Sequence, residues 1–153
     1  MNRTTAFGTW RFASEYLRAA EAVEAVAKSD MDIPAPRYYL LGHGIELALK
    51  AFLLAKDVPL EELRSMKLMG HDLETALVRA EGLGFSDLVT FSSEERAAVK
   101  LLNKTYKPKE HEYITTGYVV WPQTTLLFSV LKKVLPAIKP LCLEATLQEE
   151  PKE

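Results

Sequence analysis

Cysteine is almost missing from this chain of 153 residues, where Cys142 stands alone. An internal disulfide is therefore excluded, and so is any cage built from several thiolates. Histidine is scarce as well. His43, His71 and His111 are separated and form no HExxH arrangement, so no metal site and no cofactor is predicted. Long apolar runs are absent too: none approaches the roughly 20 residues that a membrane helix needs. The opening MNRTTAFGTWRFASEYLRAA lacks the apolar core of a secretion signal. Together these absences predict a soluble cytoplasmic protein with no membrane partner. Neither sign of charge is in excess, since 19 Lys+Arg against 21 Asp+Glu leave a formal net charge of -2. That excludes a strongly basic nucleic-acid coat, although a local basic patch remains compatible with it.

What the chain does have is an ordinary globular mixture, 48% hydrophobic and 26% charged, which rules out disorder for the whole. One domain over residues 1–147 is predicted, with 148–153 as a frayed tail. Helical periodicity dominates. Over 9–28, Trp10, Ala13, Leu17, Ala20 and Ala27 recur at helical steps opposite Arg11, Glu15, Arg18 and Glu21. Prolines 34 and 36 break the chain, and Pro36 suits the first turn of a second helix running to about Lys56. That helix is apolar nearly all round, so it is expected at the centre of the bundle.

A short helix follows from Leu60 to about Met66, then one from His71 to about Glu81, ended by Gly82 and Gly84. Ser92 with Glu95 is a capping-box pattern opening a helix to about Lys104. From Tyr106 to Val120 the signal fails and a long loop is expected. The last helix runs from about Pro122 to Ile138, with Pro136 expected to end or kink it. The predicted fold is all-α: four main helices in an up-and-down bundle plus a short extra helix.

Three groups of residues could carry chemistry. Within the apolar second helix, His43, Glu46 and Lys50 form a narrow polar stripe. It reads either as a polar site with Glu46 orienting an imidazole or, preferably, as a structural Glu46–Lys50 pair four residues apart. The loop region carries Lys104, Lys107, Lys109 and His111 with Tyr106 and Tyr113. Its functional reading is a patch that tracks phosphates and stacks bases. The plainer one is a solvated loop whose field Glu110 and Glu112 dilute. His71 and Asp72 read as a helix start, Cys142 as a buried or idle thiol, and the aromatic set as core or dimer seam.

The segment YYLLGHGIELALKAFLLAKDVPLEELRSMKLMGHDLETALVRAEGLG resembles the HEPN domain family, through Ile45 to Ala51 and then Gly70 to Leu73. The N-x-x-Y piece (Asn103, Tyr106) and the stretch around Glu112, Tyr113, Thr116 and Gly117 are similar to one subset of that family. The resemblance implies a helical bundle, frequent homodimers, and a function among RNA-cleaving toxins or RNA-binding modules. It also implies an antitoxin or a nucleotidyltransferase as partner. The family's catalytic signature is an arginine followed a few residues later by a histidine. Here Lys104 and Lys107 precede His111 and no arginine stands with them. Lysine brings charge without the planar fork that grips a phosphoryl group. The resemblance thus implies a non-catalytic RNA- or nucleotide-binding module, with Tyr106, Lys109 and Tyr113 in the binding surface. The alternative is a metal-independent ribonuclease of toxin–antitoxin type, with His111 as acid/base and Lys104 or Lys107 as phosphate clamp. A third reading is a protein–protein interaction dimer that binds no RNA.

Overall fold

A computed structural model of the chain describes residues 4–27, 35–108 and 120–149. Those residues hold α1 (Ala6–Val26), α2 (Ala35–Ala55), α3 (Leu60–Arg64), α4 (Leu73–Glu81), α5 (Ser93–Tyr106) and α6 (Thr124–Gln148), with a 3-10 turn over Phe85–Asp87. No strand occurs among them. The long helices are α1, α2, α5 and α6. Both α3 and α4 are short, and each falls where the sequence places a helix, over about Leu60–Met66 and His71–Glu81.

α1 begins at Thr5, whose hydroxyl accepts from the Gly8 N–H at 2.9 Å, as a helix N-cap should. Ala6, Ala13 and Ala20 repeat every seven residues and are all buried. These small side chains let α1 lie close against α2, where the Gly44 position faces the Ala13 carbonyl and the Tyr16 Cβ. Near the end of α1, Glu24 accepts from Arg37 at the start of α2 (3.4 Å) and from Thr124 at the start of α6 (3.3 Å). At its beginning, the Phe7 N–H donates to Thr146 at the end of α6. α1 therefore runs antiparallel to both α2 and α6.

α2 occupies the centre, in contact with α1, α4, α5 and α6. Leu41, Ile45, Ala48, Leu49, Ala51, Phe52 and Leu53 are buried, as its nearly unbroken apolar surface requires. Burial of side chains of this size is worth about 1.5–3 kcal/mol each for the larger ones, and they come from every face of one helix.

α6 corrects the sequence reading. It continues through Pro136 and Pro140 to Gln148 instead of ending near Ile138, so residues 139–147 and the first residue of the expected tail are helical. Both prolines sit on the exposed face, while Leu135, Ile138 and Cys142 remain buried on the other. Each interior proline costs a helix about 3 kcal/mol. Continued burial offsets this, and the Trp10 indole N–H ties the interrupted stretch to α1 by donating to the Leu135 carbonyl at 2.7 Å. The Cys142 thiol is pushed up to about 12 by burial, which makes it inert at neutral pH.

The capping box at Ser92 forms as read, with Glu95 N–H to Ser92 Oγ at 3.1 Å and Ser92 N–H to Glu95 Oε1 at 2.8 Å. What the local pattern did not show is that Glu95 is buried and also accepts from Ser129 and Lys133 of α6. Burial alone would raise its pKa, but Lys133, Ser92 and Ser129 more than offset that and hold it down to about 2. A depressed carboxyl contributes stability that is complete above its unfolded value and is lost as pH falls through the folded one. Glu95→Ala is thus expected to cost about 2 kcal/mol at pH 7 in urea denaturation. The difference between wild type and Glu95→Gln should shrink between about pH 4.5 and pH 2, and a constant difference across that window would contradict the assignment.

Candidate functional site

Helical geometry puts residues three and four apart on one face, so His43, Glu46 and Lys50 line a single stripe of α2. In the folded chain that stripe faces the turn before α4 and the last turn of α5. Glu46 is 3% exposed. A buried carboxylate of this kind is tolerated only when its lone pairs are used. Its Oε1 accepts from the Tyr106 hydroxyl and from His71 Nδ1, both at 2.7 Å. Its Oε2 accepts from Lys50 Nζ at 3.2 Å. Lys50 then donates to the Gly70 carbonyl at 2.9 Å, which fastens the turn leading into α4. Burial raises the Glu46 pKa, but Lys50, His71 and Tyr106 outweigh it and the net shift is downward.

Two glycines make this arrangement possible. A Cβ on Gly42 would stand 2.6 Å from Tyr106 Cδ2, so the tyrosine ring lies directly on the backbone of α2. Gly70 has φ +53°, a left-handed conformation that glycine adopts at little cost. Burial and the neighbouring Glu46 carboxylate push the Tyr106 pKa far up, which keeps the phenol protonated. His43 Nδ1 lies 3.1 Å from the same hydroxyl, and its ring is flanked by Tyr16 (centroids 4.6 Å apart, edge-on) and Tyr39 (5.8 Å, parallel). Burial lowers the His43 pKa, opposed by Glu46 and assisted by His71 and Lys50.

A second cluster lies beside the first. Asp72 caps α4, accepting from the Glu74 and Thr75 N–H groups. Asn103 of α5 bridges across, accepting the Leu73 N–H at its Oδ1 and donating from Nδ2 to Asp72, both at 2.9 Å. Lys107 completes it, with Nζ 3.1 Å from Asp72 Oδ2. Burial would raise the Asp72 carboxyl, but Asn103, Lys107 and Thr75 hold it down to about 2. Asn103, Tyr106 and Lys107 thus bind the end of α5 to both α2 and the start of α4.

The predicted residues fall out as follows. Glu46 and Lys50 pair as the structural reading expected. Glu46 also orients an imidazole, though the close one is His71 from the α4 start, while His43 joins through Tyr106. Tyr106 needs correction: it is the last residue of α5 and 3% exposed, not part of a solvated loop. Its ring offers no face to a stacking base here, because the Gly42 gap and the Glu46 carboxylate draw it inward. Lys104 and Lys107 are exposed on the end of α5. Lys109, His111 and Tyr113 lie outside the described residues, as does most of the expected long loop. The sequence reading missed Gly42, Asp72 and Asn103 as parts of a site. The available signal was the three-residue step from Asn103 to Tyr106, which places both on one helix face.

Chemically, the cluster offers an ionised carboxylate, a protonated phenol and a half-buried imidazole whose side chain is 26% exposed. Among the described residues no group of three or more His, Cys, Asp or Glu could hold a metal ion. Nor is any helix there long and apolar enough to cross a membrane. No protein-family model, curated protein or solved structure matches the chain.

Two substitutions probe the cluster. Glu46→Gln should cost about 3 kcal/mol, because it leaves Lys50 and His71 facing a group without charge. Gly42→Ala should cost about 1–3 kcal/mol by pushing Tyr106 off α2, whereas the near-isosteric Tyr106→Phe should cost only about 1 kcal/mol. Urea midpoints for the three variants check this order. A Gly42→Ala protein as stable as wild type would mean that Tyr106 is not seated on α2.

Proposed function

We propose that the protein is an RNA- or nucleotide-binding module of the HEPN kind, acting as a homodimer and binding at the C-terminal end of α5. The observation that carries this reading is the pair of exposed lysines, Lys104 and Lys107, on a helix end braced from beneath by buried polar bonds. Cations on a rigid base lose little ordering entropy when they meet a phosphate. The Lys107–Asp72 pair does not preclude this. With Lys107 60% exposed, such a pair is worth well under about 1 kcal/mol, and a phosphate oxygen can replace the carboxylate. His71 and its neighbours sit next to this edge through Asp72. The chain that continues beyond α5 brings Lys109, His111 and Tyr113, and belongs to the same reading.

Salt-dependent retention of a single-stranded RNA decides it. Each phosphate neutralised contributes about -0.7 to the slope of log affinity against log salt. Lys104→Ala and Lys107→Ala together should therefore flatten the slope by about 1.4 and weaken binding. Binding that ignores salt, or that survives the double substitution unchanged, would defeat the proposal. RNA products formed in the presence of a chelator, and lost in His111→Ala, would move the reading to a metal-independent ribonuclease. No RNA retention at low salt would favour the interaction dimer.

A further inference from the structure

Counting donors around Glu46 settles where the protons sit on two histidines. The Glu46 carboxylate is ionised and can only accept, so the 2.7 Å contact from His71 must be an Nδ1–H donation. Tyr106 has one hydroxyl proton and gives it to Glu46 at 2.7 Å. His43 Nδ1, 3.1 Å from that hydroxyl, must therefore donate to the phenol oxygen. In its neutral form each ring thus carries its proton on Nδ1, each governed by the same carboxylate, His71 directly and His43 through Tyr106. Nε2 is left as a bare lone pair in each. Neither Nε2 has a hydrogen-bond partner among the described residues, and the His71 side chain is 26% exposed.

A bare lone pair cannot bind an unprotonated phosphate oxygen. Its partner must be a donor, either a hydroxyl or an amino group. We propose that His71 is the hydroxyl-recognising residue of the binding edge, its Nε2 accepting a hydrogen bond from a ribose hydroxyl of the bound ribonucleotide. Glu46 is the positioning residue that sets the tautomer and the ring plane, as carboxylates behind imidazoles do elsewhere. The division of labour is then plain: Lys104 and Lys107 meet the phosphates, which are the same in RNA and DNA, and His71 meets the 2′-hydroxyl that separates them. This inference rests on the binding reading given above, but the proton assignment does not.

The test has two arms. Two-dimensional proton–nitrogen correlation of the imidazole nitrogens at pH 8, where imidazoles are neutral, should show both His71 and His43 protonated at Nδ1. A proton on Nε2 of His71 would overturn the inference outright. In the second arm, a short mixed-sequence oligoribonucleotide and its 2′-deoxy counterpart are titrated against the full chain at the same pH and salt. The ribose form should bind about five-fold more tightly, the worth of one neutral hydrogen bond. In His71→Phe, which keeps a ring beside Tyr106, the two affinities should converge on the deoxy value. Equal affinity for both oligonucleotides in the wild-type chain, or a ribose preference that survives His71→Phe, would defeat the hydroxyl contact while leaving the binding reading intact. Affinity for neither would defeat both. The wild-type comparison needs no variant, so a misfolded His71→Phe protein would not protect the proposal.

Discussion

The buried carboxylate of Glu46 is the constraint on which the rest of this molecule turns. Taking an ion out of water costs several kcal/mol even after the surroundings relax, and the fold bears that cost only by converging donors on both oxygens. Those donors come from three places in the chain: Lys50 from the same helix, His71 from the turn before α4, and Tyr106 from the end of α5. One side chain therefore dictates the relative placement of α2, α4 and α5. The glycines at 42 and 70 follow from it, one admitting the Tyr106 ring and the other supplying the left-handed turn whose carbonyl receives Lys50.

Apolar packing determines the general architecture, and the polar contacts select one arrangement within it. A central helix covered on all sides by Leu, Ile, Ala and Phe would bury similar area in several rotations about its axis. Glu46 removes that freedom, because only one rotation presents it to His71 and Tyr106. Glu95 does the same work at the other end of α5, where a capping glutamate is shared with Ser129 and Lys133 of α6. The 14 residues of α5 are thus pinned by buried acids near both ends, Glu95 at its start and Glu46 of α2 at its finish. A helix held in this way is a rigid support for whatever its exposed lysines contact, and that is why the binding proposal centres on its C-terminal end.

Much of the fold was legible in the residues. The apolar helical step through Trp10, Ala13, Leu17 and Ala20 of α1, the all-round apolarity of α2 and the Ser92–Glu95 box each have a local physical cause, and each formed where it was read. The misreadings share a cause as well. Pro136 and Pro140 signal a helix end by their own chemistry, but the signal says nothing about the buried Leu135, Ile138 and Cys142 that carry α6 past them. Tyr106 precedes a stretch rich in charge, and the local pattern places it at the head of that stretch. Only the gap over Gly42 and the carboxylate of Glu46 turn it inward. In the candidate site, the stripe His43, Glu46 and Lys50 was visible from spacing, as was the Glu46–Lys50 pair.

By itself the sequence determined that the described chain would be helical, which helix would lie at the centre, and which polar residues of that helix shared a face. These are consequences of period and propensity, and they act within a few residues. Only the tertiary structure decided that His71, 25 residues from Glu46, and Tyr106, 60 residues from it, would meet at one oxygen. Spacing along a chain cannot encode that meeting, because it depends on how three helices pack and on the desolvation of a single charge that each of them must help to satisfy.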